Sequence, residues 1–380
     1  MSQEPTDSAF RIPHSAFDHS AFGQRLRNWA AEHPRPLPWK DEPDPYRIWL
    51  SEILLQQTRV AQGLPYYERF VAAYPTVAAL AAAPEAEVLK LWEGLGYYTR
   101  AKNLHAAAKK VVAAYDGVFP ASYDALLALP GVGAYTAAAI ASFAFNLPHA
   151  VLDGNVFRVL ARIWGYVEPI DRPEARVWFA QKAHELLDPE HPGAHNQAIM
   201  DFGATWCTPR NPKCGTCPMA EGCAALQNDL VDALPRKSPK AARRRRIFLY
   251  AVIRQDARVY MRERMDKDIW QNLWEFPAVE VDKVPPTNAE IARLVVDHFF
   301  SEREQKSVKI DTMTGPLKQV LTHQEVHGFF VQMTQNDPDW RPDPTRNWHA
   351  AEQLTLKKIF AKPRLIDRFL TENPVYLTLF

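Results

Sequence analysis

The sequence predicts a multi-domain chain: an all-α part over residues 22–225, then an α+β part over residues 247–380. Three observations carry this expectation. From about Phe22 to Ala204, apolar residues recur at helical spacing and no strand-like alternation appears. Near Leu226 the composition changes. Residues 226–246 hold Pro235, Pro239 and a basic set of Arg236, Lys237, Lys240 and Arg243 to Arg246, and strand-like alternation begins after them. All four cysteines fall within residues 207–223, which leaves none for a disulfide framework and points to a reducing compartment and one local metal site.

Residues 1–21 are polar and repeat Ser-Ala-Phe, so a disordered leader is expected. Helices are expected at 46–58, 60–74, 85–93, 97–115, 122–128, 134–145, 155–164, 173–187 and 194–204. Arg35-Pro36-Leu37-Pro38-Trp39 is a stiff loop. The basic stretch 226–246 reads as an interdomain linker near phosphates, or as a merely solvated charge run. Strands at 247–254 and 258–264 flank the turn Gln255-Asp256-Ala257, a hairpin signature. A helix at 288–300 follows, then strands at 308–314, 318–322 and 327–334, and a last helix at 356–370.

Composition excludes some classes. A chain of 380 residues, 47% hydrophobic and 23% charged, has the profile of a globular protein with more than one core. Its net charge of +1 means that any nucleic-acid contact must come from local patches. No apolar run is long enough to span a membrane, so no membrane partner is expected. The polar, partly acidic start MSQEPTDSAF resembles neither a signal nor a transit peptide.

The stretch that organises the first part is LPGVGAYTAAAIASFAFNLPHAVLDGNV, residues 129–156. Its Gly131-Val132-Gly133 turn precedes an Ala-rich helix, and a turn exposing N–H groups at a helix N-terminus can hold a phosphate. A plain loop is the bland alternative. Asp153 stands where a second helix begins, so its carboxylate should accept N–H bonds and stay ionised. Glu52 shares a helix face with Ile48, Trp49 and Leu55, and partial burial there raises a carboxyl pKa. A carboxyl kept protonated near neutrality can serve a glycosidic leaving group. Two carboxyls whose environments push their pKa values apart are the mark of an acid–base pair, although a structural Glu and a simple N-cap would look the same.

The cysteines are spaced Cys207-x6-Cys214-x2-Cys217-x5-Cys223. Structural zinc usually takes two C-x2-C arms, and this chain has one. The uneven spacing suits a [4Fe–4S] cluster better, and zinc stays as the alternative. Pro209, Arg210, Pro212 and Lys213 lie between the first two cysteines, where basic groups could meet a DNA backbone. The loop resembles that of helix-hairpin-helix DNA glycosylases related to endonuclease III.

Several further motifs make the resemblance specific. They are Arg35-Pro36-Leu37-Pro38-Trp39, Ser51-Glu52-Ile53-Leu54-Leu55-Gln56-Gln57-Thr58 and Gly94-Leu95-Gly96-Tyr97-Tyr98-Thr99-Arg100. Leu129 to Thr136, Val151 to Val156 and Leu273-Trp274-Glu275-Phe276-Pro277 complete them. Over about residues 22–370 the chain resembles the adenine DNA glycosylases of the MutY type. The resemblance implies an all-α helix-hairpin-helix glycosylase domain with a [4Fe–4S] loop and a Nudix-like C-terminal domain. That domain lacks the acidic R-E-x-x-E-E metal motif, which implies recognition without Nudix hydrolysis.

The implied partner is double-stranded DNA with adenine opposite 8-oxoguanine or guanine. The implied reaction is hydrolytic, monofunctional base excision by a monomer in the bacterial cytoplasm, associated with the nucleoid. Carried over residue by residue, Glu52 protonates the flipped adenine at N7, and Asp153 stabilises the oxocarbenium-like sugar. Tyr135 and Asn155 line the sugar and the attacking water. Arg35, Trp39 and Gln197 match positions around the adenine. Gln57 and Tyr97 match positions that wedge into the base stack, with Leu55, Thr58 and Leu95 beside them at the DNA. Gly131 and Gly133 would hold a phosphate. Leu321-Thr322-His323 matches a Phe-Ser-His element that contacts 8-oxoguanine; Leu replaces Phe, so stacking should weaken, whereas Thr322 keeps the hydroxyl. Two rivals remain: an endonuclease III-like glycosylase, which would carry a Lys where this chain has Tyr135, and a non-catalytic iron–sulfur DNA-binding protein.

Overall fold

A computed structural model describes residues 19–40, 42–239, 242–352 and 360–373. Residues 1–18 of the expected leader lie outside the described residues, and the first helix already begins at His19. The chain divides into two compact units. One joins Met1–Ala82 to Asn103–Pro239, and the other joins Ala83–Lys102 to Lys240–Phe380. Nothing in the helical periodicity of residues 83–102 announces that they group with the C-terminal residues.

The helices are α1 His19–Glu32, α2 Pro45–Leu55, α3 Val60–Ala73, α4 Val77–Ala82, α5 Glu85–Trp92, α6 Thr99–Tyr115, α7 Tyr123–Leu127, α8 Ala134–Phe145, α9 Gly154–Ile163, α10 Pro173–Leu186, α11 Pro192–Thr205 and α12 Ala224–Gln227. The short α4 was not expected. Among these, α5 and the start of α6 belong to the second unit. In the first unit, Phe22, Leu26 and Trp29 of α1 pack with Val156, Val159 and Leu160 of α9, Phe179 of α10 and Phe202 of α11. Two glycines let α11 lie close to its neighbours. A Cβ on Gly193 would sit 2.7 Å from the Ser142 carbonyl oxygen of α8, and one on Gly203 would sit 2.6 Å from Cβ of Asn155 on α9. The buried alanines 137–139 and 141 of α8 are the matching small surface. Among the described residues, no helix is long and apolar enough to cross a membrane.

The second unit is built on a seven-stranded mixed sheet. Its strands are β1 Arg244–Gln255, β2 Arg258–Glu263, β3 Trp274–Glu275, β4 Ala278–Val281, β5 Val308–Val320, β6 Gln324–Gln335 and β7 Trp348–Glu352. The main path runs β3-β2-β1-β6-β5, with β4 paired to β1 and β7 paired to β2. Strand β1 runs parallel to β6, with Ile247 opposite His327. Alternate residues of β1 enter different cores. Ile247, Leu249, Ala251 and Ile253 meet helix α13, Asn288–Phe299, whereas Phe248, Tyr250 and Val252 meet the last helix, Arg364–Glu372. A strand covered on both faces must be apolar throughout, which is why 247–253 shows no polar break.

Several elements of this unit differ from expectation. The strands expected at 308–314 and 318–322 are one strand, β5, whose register against β6 shifts between Thr314 and Leu317, around Gly315 and Pro316. Glycine and proline marked an irregularity there, not an end. Strands β3, β4 and β7 are short and were missed. Part of the last expected helix, residues 356–359, lies outside the described residues; the helix itself starts after Pro363 and runs Arg364–Glu372.

Candidate active site

In the first unit, a cleft is walled by the loop from His33 to Lys40, by Ile48, Ser51 and Glu52 of α2, by Ser142 and Phe143 of α8, and by Gln197 and Asp201 of α11. Glu52 is placed by local chemistry. Asp44 caps α2 by accepting from the Tyr46 N–H, and Pro45 occupies the first turn, where its missing N–H costs nothing. This sets the helix face on which Trp49, at 0% exposure, packs inward and carries Glu52, at 7%, with it. The Tyr135 hydroxyl of α8 donates to Glu52 Oε2 at 2.7 Å. Burial pushes the Glu52 carboxyl up to about 7; the Tyr135 bond opposes that shift, and the charge of Asp153 adds to it. A group with that pKa holds and releases a proton near neutral pH.

Asp153 caps α9. Its Oδ1 accepts from the Asn155 and Val156 N–H groups at 2.9 and 2.8 Å, and its Oδ2 from Asn155 Nδ2 at 2.6 Å. These bonds were expected to govern the carboxyl. Burial instead outweighs them, and its pKa lies above the ordinary value of 3.8. Both carboxyls therefore shift upward, and it is Glu52 that reaches about 7. Burial also drives the Tyr135 hydroxyl well above its ordinary range, helped by both carboxylates, so Tyr135 stays a neutral donor.

Two residues that sequence reasoning did not single out hold Asp153 in place. Buried Asn196 of α11 accepts from the Val151 N–H at 3.1 Å and donates to the His149 carbonyl at 2.8 Å and to Ser142 Oγ at 2.9 Å, which pins the segment leading into α9. Buried Arg158 of α9 donates to Asn155 Oδ1 at 2.9 Å, to the Gly203 carbonyl at 2.6 Å and, through Nε, to the Cys207 carbonyl at 2.7 Å. One guanidinium thus ties the partner of Asp153 to the first cysteine of the loop. Its only signal in the sequence is a cation inside an apolar helix.

Two of the remaining expected pocket residues, Arg35 and Gln197, meet at Asp201. Arg35 Nη1 lies 3.0 Å from its Oδ1, Gln197 Nε2 donates to its Oδ2 at 3.2 Å, and Lys40 is ion-paired with the same oxygen. Lys40 and Asp201 were missed, although Asp201 stands one turn beyond Gln197 on α11. Trp39 packs edge-on to Tyr67, with centroids 5.2 Å apart. At the end of α2, Leu55 sits against Gly63, Gln57 takes a left-handed backbone (φ 56°), and the Thr58 N–H donates to the Leu55 carbonyl at 3.0 Å. Gln56 Nε2 donates to Thr136 Oγ1 at 3.1 Å, which fixes this turn to α8. The Gly131–Gly133 turn joins α7 to α8. Gly131 has φ +73° and lies so close to Asn103 that a Cβ would collide with it. Gly133 is the N-cap of α8 and brings no capping side chain, so the first-turn N–H groups have none competing for them.

In the second unit, Leu95 is buried and Tyr97 is 48% exposed with φ 51°. The Tyr97 hydroxyl is 2.9 Å from Thr322 Oγ1. Thr322 and His323 are exposed on the turn between β5 and β6, which is braced by the Leu321 N–H to the Gln324 carbonyl, the Arg244 N–H to the His323 carbonyl and Arg243 Nε to the Leu321 carbonyl. Glu275 is fully buried, 2.8 Å from both Arg262 and Arg264, and is spent on holding the sheet together.

The four cysteines line one apolar pocket with Phe202, Trp206, Met219 and Leu226, and none of the four is in a disulfide. Backbone N–H groups of Met219, Ala225 and Leu226 point at the sulfurs of Cys217 and Cys223, and Arg162 Nη1 lies 3.4 Å from Cys207 Sγ. Burial pushes the Cys217 thiol up to about 12 and raises Cys214 and Cys223 in the same direction. Desolvated sulfurs met by N–H donors are what a bound iron–sulfur cluster needs, because the iron's own charge stabilises the thiolates. The four side chains fit that group.

Comparison with known proteins bears on the same residues. A family model described as HhH-GPD superfamily base excision DNA repair protein matches residues 50–177. The iron-sulfur binding domain of endonuclease III matches residues 207–223, and a NUDIX domain matches residues 249–372. An adenine DNA glycosylase of Buchnera aphidicola subsp. Baizongia pistaciae is 38% identical over 259 residues, covering 67% of this chain and 73% of that protein. The chain belongs to the adenine DNA glycosylases. The Homo sapiens adenine DNA glycosylase is 41% identical over 233 residues, 58% of this chain and 42% of that one. A structure of a thermostable thymine-DNA glycosylase aligns with TM-score 0.51 and 29% identity over 55% of this chain and 97% of its own.

This adenine DNA glycosylase therefore combines a helix-hairpin-helix base excision repair domain, a [4Fe–4S] iron–sulfur binding domain over residues 207–223, and a Nudix-like domain. Purified without oxygen, it should be yellow-brown, with broad absorbance near about 400 nm from thiolate-to-iron charge transfer, and should contain iron and sulfide in equal amounts. Stoichiometric zinc without iron would contradict the assignment.

Proposed function

We propose that this glycosylase removes adenine opposite 8-oxoguanine, and opposite guanine, as a monofunctional hydrolase. Glu52 donates its proton to N7 of the flipped adenine. The glycosidic bond breaks, its electron pair leaves with the neutral base, and the carboxylate of Asp153 faces the oxocarbenium-like sugar until water adds. Tyr135 and Asn155 orient these two carboxyls, and Arg35, Trp39 and Gln197 surround the base. Extruding the base costs a few kcal/mol, least at a mispair. The observation that carries the reading is a buried carboxyl with a pKa of about 7 on the wall of a cleft in an adenine DNA glycosylase.

Monofunctional chemistry is supported by Tyr135, which cannot form a Schiff base where a lysine could. Among the described residues lining the cleft, the amine is Lys40, which is already paired with Asp201. Excision should leave an intact abasic strand that breaks only in alkali. Efficient borohydride trapping of a covalent enzyme–DNA adduct would count against this reading.

Thr322 and His323 read the base opposite the adenine. Their exposure on a braced turn supports this, and the retained hydroxyl can bond the altered edge of 8-oxoguanine. The double variant Thr322→Ala, His323→Ala should narrow the preference for 8-oxoguanine over guanine by roughly 1–3 kcal/mol, the worth of a lost bond to a base edge. Single-turnover rates on both duplexes decide it; an unchanged ratio would leave lesion reading to Gln57, Thr58 and Leu95.

A further inference from the structure

The segment that carries Tyr97 is held by a buried cation from the far end of the chain. Lys362 is 1% exposed. Its Nζ lies 3.1 Å from Glu93 Oε1, and its backbone N–H donates to the same oxygen at 3.0 Å. The Tyr98 hydroxyl donates to the Lys362 carbonyl at 2.9 Å. Lys90 of α5 pairs with Glu93 and donates to the Phe360 carbonyl at 3.3 Å, and Asn272 Nδ2 donates to Glu85 Oε1 at 3.0 Å. All of these residues belong to the second unit.

What lies between these anchors is a turn that a free chain would avoid. Gly94, Gly96 and Tyr97 have φ of 98°, 74° and 51°. A left-handed tyrosine is costly and persists only where its surroundings over-determine it. Inside the turn, Trp92 Nε1 donates to the Gly96 carbonyl at 2.9 Å, and the Arg100 guanidinium lies 5.5 Å from the Tyr97 ring. From outside, Glu93 and Tyr98 flank the turn on both sides, and both end on Lys362.

We propose that Lys362 is a positioning residue. Through Glu93 and Tyr98 it holds residues 94–98 in the one backbone shape that presents the Tyr97 ring. The inference rests on the reading that Tyr97 enters the base stack. It makes the last described segment of the chain part of the machinery that stabilises the flipped state, beside the Tyr97 hydroxyl's own contact with Thr322 Oγ1 at 2.9 Å. A lysine is suited to the task because its ammonium and its own backbone N–H converge on one carboxylate oxygen while its carbonyl accepts from a second side chain.

The test uses the full-length, cluster-containing protein with Lys362→Met and Glu93→Gln. Amide exchange across residues 94–98 and single-turnover adenine release from A opposite 8-oxoguanine are measured beside Tyr97→Ala. In Lys362→Met, exchange across 94–98 should rise roughly tenfold or more while exchange in β1 and iron content stay at wild-type values. Adenine release should fall toward that of Tyr97→Ala. Glu93→Gln should shift both in the same direction, and it carries the test if Lys362→Met does not fold. Wild-type exchange at 94–98 in a folded variant, or a rise equal to that in β1, overturns the proposal. If the loop loosens in Lys362→Met while Tyr97→Ala releases adenine at the wild-type rate, the lock stands and the wedge reading of Tyr97 fails.

Discussion

Glu52→Gln is expected to abolish adenine release while mispair binding survives. The substitution removes the proton donor and almost no volume, and the new amide can still accept from the Tyr135 hydroxyl at the 2.7 Å position. Loss of general-acid catalysis at a leaving group costs several kcal/mol of barrier, roughly a thousandfold or more in rate. The wild-type enzyme should lose activity as pH rises through about 7, where Glu52 gives up its proton. Stability follows from the same shift. A carboxyl whose folded pKa is raised stabilises the fold most below its unfolded value, ordinarily 4.5, and that contribution is lost as pH rises through about 7. Glu52→Gln removes this pH-linked loss, so the inactive variant should be the more stable protein at pH 8, by on the order of 3 kcal/mol, and should lose that advantage toward pH 4.5. Single-turnover assays and urea unfolding at both pH values test the two halves together. Near-normal turnover in the Glu52→Gln variant would remove Glu52 from its assigned role.

Arg158→Met should damage both fold and chemistry. The guanidinium is buried and makes bonds to Asn155, Gly203 and Cys207, so its loss leaves the buried Gly203 carbonyl and two half-buried acceptors without this donor. Removing one partner from a buried charged network typically costs about 3–5 kcal/mol. Asn155 is also the donor to Asp153 Oδ2, so that oxygen should be held less firmly and the carboxylate should lose the cation that favours its charged form. Release of adenine should drop by roughly a hundredfold, with iron held less firmly because the Cys207 carbonyl is freed. Denaturant midpoints, iron content and single-turnover rates measure the three effects. Wild-type turnover with full iron would show that Asp153 is held without Arg158.

Most of the geometry of the candidate site is legible in the sequence because its contacts are local. Asp153 bonds residues two and three positions on, Glu52 sits on a regular helix among large apolar residues, and the cysteines lie within one short loop. What escaped notice depends on distant pairing. Asn196 reaches back to residues 142–151, Arg158 reaches forward to Cys207, and Asp201 collects cations from the Arg35–Lys40 loop; no spacing rule links such positions. The fold follows the same division. The apolar run of β1 and the periodic helices announce themselves, whereas β3, β4 and β7 are short strands defined by their neighbours. Residues 83–102 group with the C-terminal unit, and the pairing of Glu93 with Lys362 inside that unit joins positions far apart in sequence, which periodicity cannot show.

On the proposed reading, this adenine DNA glycosylase selects adenine by the base opposite it and releases it with a proton from Glu52. The most direct measurement is single-turnover adenine release from three otherwise identical duplexes, with adenine opposite 8-oxoguanine, guanine or thymine. Release should be fastest opposite 8-oxoguanine, slower opposite guanine and undetectable opposite thymine, and Glu52→Gln should silence the first two. Equal release opposite thymine, or release that survives Glu52→Gln, would contradict it.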